Sequence, residues 1–388
     1  MPNVTPDSTT DLTAPLREQL DRLAAFEPTD APVLSLYLDT RADQHGRAEY
    51  GAFLRKAFSE RGKTLTGDAR RSFDRDTERI TAYLGEELRK STNGLAIFAC
   101  AAADDFFETV QLDAAIEEHW LFIGSVPHLY PLARVNDQYP RYAALVVDTN
   151  SARLFVFGLG ATQAQRDVRN VKTRKTTMGG WSQARYQRHI ENFHLHHMKE
   201  VVDLLDRVVR EERIGQIVVS CDEVARPILM DQLPKHLSEK AIDIVKMDAR
   251  SPEHQVMQDT LEVMRQYDTD TDAERVEAML GAWRGGGLGV AGPDATLHAL
   301  SLGQVEELLI AAAPDNLKKA ASLPPDSAPG PVEVDTSATA VPADPDRLTL
   351  ADELVTRAHQ QSARIRFIED PQLLNDVGGV GAILRFRI

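Results

Sequence analysis

The feature that most constrains the fold lies in the middle of the chain, where two apolar runs flank a short polar turn. Residues 142–147 and 153–157 are almost entirely apolar, and the turn between them contains Asp148, Asn150 and Ser151. Asp, Asn and Ser favour tight turns because their side chains hydrogen-bond to nearby backbone groups. Two apolar runs joined in this way predict a β-hairpin, so this region contains a sheet.

A long amphipathic helix is predicted after this hairpin. Its core-facing positions recur at steps of three and four residues over about five helical turns. They are Ile190, Phe193, His197, Val201, Leu205 and Val208. We expect Gly215 to end the helix, and residues 216–220 and 242–247 to form further strands. Strands that alternate with helices predict a mixed sheet with helices packed on it.

An α/β pattern also precedes the hairpin. A helical stretch at 14–26 comes before an alternating strand at 33–38, and a charge-rich stretch at 48–90 has helical spacing. Residues 94–100 form a continuous apolar run that is typical of a buried strand. The N-terminal region is therefore predicted to be an α/β domain.

The C-terminal region shows a similar alternation with one interruption. A helix is expected to end near Gly303, and strands are predicted at 308–312, 364–368 and 382–388. Residues 322–346 contain six of the twenty prolines and no apolar periodicity, which predicts a disordered insertion.

The length of 388 residues exceeds one ordinary core, since domains usually hold about 100 to 200 residues. We therefore predict an N-terminal α/β domain at 1–135, a middle domain at 136–276 and a C-terminal domain at 277–388.

Composition indicates a globular protein of the cytoplasm. The polar N-terminus lacks the basic start and apolar run of a signal peptide, and no stretch has the roughly 18 apolar residues of a membrane helix. Cys100 and Cys221 are the only cysteines and lie in separate strand-like segments, so neither a disulfide framework nor a zinc site is expected. No membrane partner, metal or cofactor is predicted.

The charge is distributed unevenly. A net charge of -15 argues against general nucleic-acid binding, because phosphate binding requires clustered Lys and Arg, and DNA is not expected as a partner. The window from Arg166 to Lys199, however, contains eight basic residues and two acidic ones. Its net charge is therefore +6, and the rest of the chain carries a net charge of -21.

Two patterns suggest ligand sites but have simpler explanations. Gly287, Gly289 and Gly292 have the spacing of a dinucleotide-binding motif, but they follow a predicted helix instead of a strand, which favours a crossover. His194 and His197 would share a helix face, yet no acidic or cysteine partner lies at ligand spacing. A basic surface, with His197 facing the core, is the preferred interpretation.

Asp148 has a nuclease interpretation as well as a structural one. In ribonuclease H-type enzymes, a carboxylate at a strand end helps to hold magnesium, but two or three converging carboxylates are required. The sequence does not identify them, so a turn-capping role is favoured over RNA cleavage.

The remaining candidate is a glycine-containing segment inside the basic window. It reads Thr-Thr-Met-Gly-Gly-Trp-Ser-Gln-Ala-Arg-Tyr-Gln-Arg over residues 176–188. Gly179 and Gly180 allow a backbone to approach another polymer closely, and Trp181 could stack on a base. The amide of Gln183 could orient a water molecule and stabilise an oxyanion. The flanking cations that could bind RNA phosphates are Lys172, Arg174, Lys175, Arg185 and Arg188. A glycine hinge that leads into a solvated basic helix is the alternative.

These residues resemble a known family. The hairpin, the Gly-Gly segment and the following helix resemble the middle domain of archaeo-eukaryotic class I release factors, whose loop carries Gly-Gly-Gln. Residues 294–305 and 378–387 resemble the C-terminal domain of the same proteins, in the same order and spacing. The chain is thereby identified as similar to the bacterial archaeo-eukaryotic release factor-like family, whose relatives include Pelota, the ankyrin and zinc-finger type of peptidyl-tRNA hydrolase and Balon-type hibernation factors.

The resemblance implies a fold and a place of action. The fold would be α/β in three domains: an N-terminal α/β domain, a ribonuclease H-like middle domain with a mixed sheet, and a C-terminal α-β-α sandwich. The protein would enter the ribosomal A site, and large-subunit rRNA and peptidyl-tRNA would be its partners. Whether a translational GTPase delivers it is left open by the sequence.

The sequence departs from the family pattern at the position of the catalytic glutamine. Trp181 follows the two glycines, and Gln183 comes two residues later. The ankyrin and zinc-finger relatives also place their glutamine after an extra residue, so the resemblance implies a peptidyl-tRNA hydrolase in which Gly179, Gly180 and Gln183 form the catalytic loop. Hibernation factors lack a catalytic glutamine, so a non-catalytic factor that occupies the A site is the alternative.

Residues 1–135 contain no recognisable stop-codon-reading motif. Ribosome rescue is therefore favoured over stop-codon-specific termination.

Overall fold

The computed structural model describes residues 16–42, 50–116, 118–169, 183–243, 247, 250–320 and 345–387, without the side chains of 169, 183–191, 243 and 345–346. The chain divides into two compact units. One contains residues 139–271, and the other combines the N-terminal residues up to 138 with those from 272 onwards. Three separate β-sheets with packed helices make up the described structure, which confirms the predicted α/β class.

The N-terminal sheet has four antiparallel strands in the order β3-β2-β1-β4. The elements are α1 Leu16–Ala24, β1 Val33–Asp39, α2 Tyr50–Thr64, α3 Gly67–Glu86, β2 Gly94–Cys100, β3 Phe106–Leu112, β4 Trp120–Gly124 and α4 Tyr130–Gln138. Strands β1 and β2 coincide with the predicted runs. The predicted helical stretch at 48–90 is two helices, because Gly67 has a φ of +60° and the chain reverses there.

The N-terminal core lies between this sheet and the pair α2 and α3. Leu36 and Ile97 of the sheet are fully buried against Phe53 of α2 and Phe73 and Ile80 of α3. These side chains recur at helical spacing in α2 and α3, so one face of each helix is apolar while the other stays in solvent.

The middle unit contains a five-stranded mixed sheet in the order β7-β6-β5-β8-β9. The elements are β5 Tyr142–Val147, β6 Ser151–Gly158, β7 Ala161–Arg169, α5 Gln183–Glu211, β8 Ile217–Cys221, α6 Ala225–Gln232, α7 Lys235–Ser238, β9 Ala241–Asp243 and α8 Glu253–Arg284, whose first part belongs here. β5, β6 and β7 are antiparallel, and β8 and β9 continue parallel to β5. This confirms the predicted ribonuclease H-like arrangement with a mixed sheet.

Both faces of the middle sheet are covered by helices. On one face, Leu145 and Leu154 pack against Val201, Leu205 and Val208 of α5, as the spacing predicted. On the other face, Phe155 and Val218 belong to a cluster with Val256 and Met264 of α8. Strands β5 and β6 consequently carry apolar side chains on both faces, which explains the continuous apolar runs in their sequences.

Helix α5 ends earlier than predicted, and Gly215 is not the residue that ends it. The helix stops at Glu211, and Arg213 takes the left-handed conformation with a φ of +51°. The N–H of Ile214 then donates to the carbonyl of Val209 at 2.9 Å, which closes the helix end as in a Schellman motif. Ile214 is 1% exposed, so burial of its side chain holds this turn and compensates for the strain at Arg213.

The C-terminal sheet has the order β10-β13-β11-β12. Its strands and helices are β10 Gly289–Ala291, α9 Pro293–Ser301, β11 Val305–Ala311, α10 Pro345–Gln360, β12 Arg364–Ile368 and β13 Val380–Leu384. The second part of α8 covers one face through Val276 and Met279, and α9 and α10 contact the strands from the other side. This is the predicted α-β-α sandwich.

Some C-terminal boundaries differ from the predictions. The strand predicted at 382–388 runs from Val380 to Leu384. The insertion predicted at 322–346 lies outside the described residues except at its end, where α10 already begins at Pro345.

The glycines between α8 and α9 lie in the predicted crossover, and one of them serves backbone packing. A Cβ atom on Gly289 would lie 2.6 Å from the Met279 carbonyl oxygen and from the Trp283 nitrogen, so only glycine lets β10 approach α8 this closely. Gly292 has a φ of +93° directly before α9.

Helix α10 connects the C-terminal sheet to the N-terminal helices. The Asp352 carboxylate accepts hydrogen bonds from the N–H groups of Leu129 at 2.6 Å and Tyr130 at 3.0 Å, and thereby caps α4. His359 contacts the Asp21 carboxylate of α1 at 2.8 Å. These contacts explain why both regions form one compact unit. The three-domain division at 135 and 276 stays a prediction.

Candidate functional site

The predicted loop is framed by two described elements of the middle unit. β7 ends at Arg169 and α5 begins at Gln183, so the chain between them leaves from an edge strand and returns into a helix. The predicted site residues Gly179, Gly180 and Trp181 lie outside the described residues.

The predicted RNA-binding cations divide in the same way. Lys172, Arg174 and Lys175 lie outside the described residues. Gln183, Arg185 and Arg188 occupy the first two turns of α5, where the structure describes the backbone only. The structure thus places the helical part of the predicted site at the start of α5.

The far half of α5 anchors this helix in the core of the unit. Met198 and Leu205 are fully buried against the sheet, and Val201 is 1% exposed. At about 1.5 Å per residue, the helix carries the backbone of Gln183 roughly 21 Å from His197, the first buried residue of α5 among those described. The part of α5 from His197 onwards is therefore fixed against the sheet.

Asp148 is committed to the β5–β6 turn. Its Oδ1 accepts hydrogen bonds from the N–H groups of Asn150 and Ser151, both at 2.7 Å, and its Oδ2 contacts the Ser151 hydroxyl at 2.9 Å. Burial alone would raise the pKa of Asp148, but these hydrogen bonds outweigh it and hold the pKa below the usual value. Asp148 is the turn-capping residue that the sequence favoured.

His197 joins this turn to α5. Burial lowers the pKa of His197, and hydrogen bonding to the Ser151 backbone together with the Asp148 charge offsets this only in part. His197 is therefore neutral at pH 7 and faces the core, whereas His196 is exposed and lies 3.9 Å from Glu200. The histidines at 194, 196 and 197 thus do not form one surface.

The described ranges contain neither a metal-binding cluster nor a membrane-spanning helix. Within them, no three His, Cys, Asp or Glu side chains converge in an arrangement that could hold a metal ion. Likewise, no helix of the described chain is long and apolar enough to cross a membrane. The carboxylate cluster that an Asp148-dependent nuclease would require is thus not found among these residues.

A second basic surface was missed in the sequence. Helix α2 carries Arg55, Lys56, Arg61 and Lys63 against one acid, Glu60. The charges were diluted within the long stretch 48–90, and the surface becomes visible only when the helix bounds define which residues share a face.

Part of the chain matches a known protein family. Residues 127–265 match the model of bacterial archaeo-eukaryotic release factor family 10. The match confirms the predicted resemblance over this part of the chain.

Solved structures of multidomain translation factors are similar to the chain over most of their length. The match to the archaeal translation termination factor aRF1 has 15% sequence identity and a TM-score of 0.26. It covers 95% of this chain and 98% of the aRF1 chain. The match to an archaeal Pelota, from a model of ribosome-bound Pelota and ABCE1, has 14% sequence identity and a TM-score of 0.43. It covers 97% of this chain and 95% of the Pelota chain. S. cerevisiae Dom34 has 10% identity, coverage of 80% and 93%, and a TM-score of 0.39. No curated protein matches the chain significantly.

Proposed function

We propose that this protein acts on the ribosome as a rescue factor that hydrolyses the ester of peptidyl-tRNA. The observation that carries the proposal is the Gly-Gly-Trp-Ser-Gln sequence that leads into the start of α5, in a segment that matches a release-factor-like family. A cytoplasmic location, and peptidyl-tRNA and large-subunit rRNA as partners, are parts of the same proposal.

Gln183 and the two glycines would share the chemistry. An amide is a weak base, so Gln183 would act by orienting a water molecule and by stabilising the oxyanion of the transition state. Gly179 and Gly180 would let the backbone approach the end of the tRNA. Trp181 would stack on a base, and Lys172, Arg174, Lys175, Arg185 and Arg188 would neutralise phosphates.

A single-turnover release assay tests this proposal. Ribosomes that carry labelled peptidyl-tRNA are mixed with the protein, and released peptide is measured. We expect release by the wild type and a loss of about 10²–10³-fold in rate for Gln183→Ala, the range found when one oxyanion donor is removed. Gln187→Ala is the matched control, because it makes the same change one turn further along α5.

The alternative function is a factor that occupies the ribosome without catalysis. It is favoured by one observation, namely that Trp181 stands directly after the glycines where the family carries glutamine. In that case the wild type co-sediments with ribosomes, releases no peptide, and binds equally well after Gln183→Ala. A wild-type protein that does not bind ribosomes at all would refute both functions.

A further inference from the structure

We propose that the exposed face of α2 is a second RNA-binding site, which contacts the phosphate backbone of ribosomal RNA through Arg55, Lys56 and Lys63. This inference rests on the proposed ribosomal function and extends it to the N-terminal region. The site is separate in sequence from the predicted basic loop, and no residue of α2 was predicted to bind RNA.

The three cations share one face of the helix. With 3.6 residues per turn, Lys56 and Lys63 lie at about 100° and 80° around the axis from Arg55, so all three fall within roughly one quarter of the circumference. They extend over about 12 Å along the axis. The side chains that α2 buries in the core, Phe53 and Ala57, lie on the other side.

These cations have no anionic partner among the residues that the structure describes. Arg55, Lys56 and Lys63 are exposed, and none makes an ion pair or a side-chain hydrogen bond within the described part of the chain. By contrast, Arg70 and Arg71 of the neighbouring α3 are paired with Asp74 and Asp68. The charge of the α2 face is consequently available to a ligand.

The local charge contrasts with that of the whole protein. α2 carries four cations and one carboxylate, a net charge of +3, on a chain of net charge -15. An acidic protein has little affinity for polyanions over most of its surface, so a positive face orients it towards one.

The residues between the cations favour a phosphate backbone as the ligand. Besides the three cations, the exposed residues on this face are Ala52 and Ser59. The face therefore offers no large apolar side chain. A protein interface needs apolar anchors at its centre, and a membrane-binding helix needs Trp, Phe or Leu. Phosphate contacts need only charge and hydrogen-bond donors, which the cations and the Ser59 hydroxyl supply.

The test is the salt dependence of ribosome binding. The affinity for purified ribosomes is measured by sedimentation between roughly 50 and 200 mM KCl at constant magnesium, for the wild type and for Arg55→Gln, Lys56→Gln and Lys63→Gln combined. Each phosphate contact contributes about 0.7 to 0.9 to the slope of log K against log salt. We expect the slope to fall by about 2 to 3 and the affinity at 100 mM salt to fall about a hundredfold.

Two control variants define what the change means. Arg22→Gln, Arg71→Gln and Lys90→Gln combined remove the same charge from exposed positions off this face. This variant should keep a slope near that of the wild type. Swapping Arg and Lys at the three α2 positions preserves charge and should preserve binding.

The outcomes separate this inference from the proposed function. If the wild type binds ribosomes but the α2 variant has the same slope as the charge-matched control, the α2 site is refuted and the proposed function stands. Loss of ribosome binding in the variant with Arg and Lys swapped also refutes the α2 site, because phosphate contacts depend on charge and this variant keeps the charge. If the wild type does not bind ribosomes, both proposals fall. Near-ultraviolet circular dichroism checks that each variant is folded.

Discussion

Replacing Asp76 by Asn should stabilise the protein at pH 8 but much less at pH 4. Asp76 lies on α3 and is 2% exposed. Burial raises its pKa to about 6, although a hydrogen bond from the Ala101 backbone and contact with the Ser72 hydroxyl favour the charged form. Ionised Asp76 therefore costs free energy in the folded state at neutral pH.

The magnitude follows from proton linkage. The pKa rises from 3.8 to about 6 on folding, so the folded state holds the proton more tightly, and stability is lost as pH rises from the unfolded towards the folded pKa. At about 1.36 kcal/mol per pKa unit the full loss would be about 3 kcal/mol, and we expect about 2 kcal/mol of it between pH 4 and pH 8.

The measurement is urea unfolding of the wild type and Asp76→Asn at pH 4, 6 and 8. Asn keeps the shape and the hydrogen-bond acceptor but carries no charge. The difference in unfolding free energy between variant and wild type should grow by about 2 kcal/mol from pH 4 to pH 8. Glu86→Gln, an exposed carboxylate of the same helix, serves as the control for removing one negative charge. A difference that stays flat, or one that shrinks with rising pH, would contradict the reasoning.

Three further substitutions test the core, a glycine and the turn. Leu205→Ala should lower the unfolding free energy by about 2–5 kcal/mol in urea unfolding, because this side chain of α5 is fully buried against the middle sheet; a loss under 1 kcal/mol would show that α5 is not anchored there. Gly289→Ala should lower the melting temperature, since its Cβ would lie 2.6 Å from backbone atoms of α8, whereas Gly215→Ala has open space and should be tolerated; equal effects would disprove this packing. Asp148→Asn should lower the unfolding free energy at pH 7, and the difference from the wild type should decrease as pH falls. The reason is that the pKa of Asp148 is lowered in the folded protein, so the stabilisation by its carboxylate is lost on acidification. A difference in unfolding free energy that does not change with pH would argue against stabilisation of this turn by the charged Asp148.

The middle fold could be predicted because its signals are local. The hairpin at 142–157 is defined by two apolar runs and an Asp-Asn-Ser turn, and α5 by one continuous apolar stripe. The Asp148 turn and the core position of His197 follow from the same elements. Each depends on residues that are neighbours in sequence.

Only the end of helix α8, around Met279 to Trp283, was predicted, because the helix has no single apolar stripe over its whole length. Val256 and Met264 pack in the core of the middle sheet, while Val276 and Met279 pack on the C-terminal sheet. A helix that serves two cores changes its buried face along its length, so periodicity over its whole length is weak.

The end of α5 and the basic face of α2 were missed for other physical reasons. Glycine is the usual residue in the left-handed turn after a helix, so Gly215 was the natural choice, but burial of Ile214 places that turn at Arg213. On α2, the proposed RNA-binding surface depends on which residues share a face of the helix, and charge counts along the sequence do not show this.

The chemistry of the site was inferred from sequence alone. The family match supports the assignment of the segment, but the role of Gln183 depends on the order of Gly-Gly-Trp-Ser-Gln. The most direct measurement is the structure of this protein bound to a ribosome that carries peptidyl-tRNA in the P site. We predict that residues 176–188 lie against the tRNA 3′ end, with the Gln183 amide within hydrogen-bonding reach of the ester or its attacking water. A complex in which this segment faces away from the tRNA 3′ end would contradict the central claim.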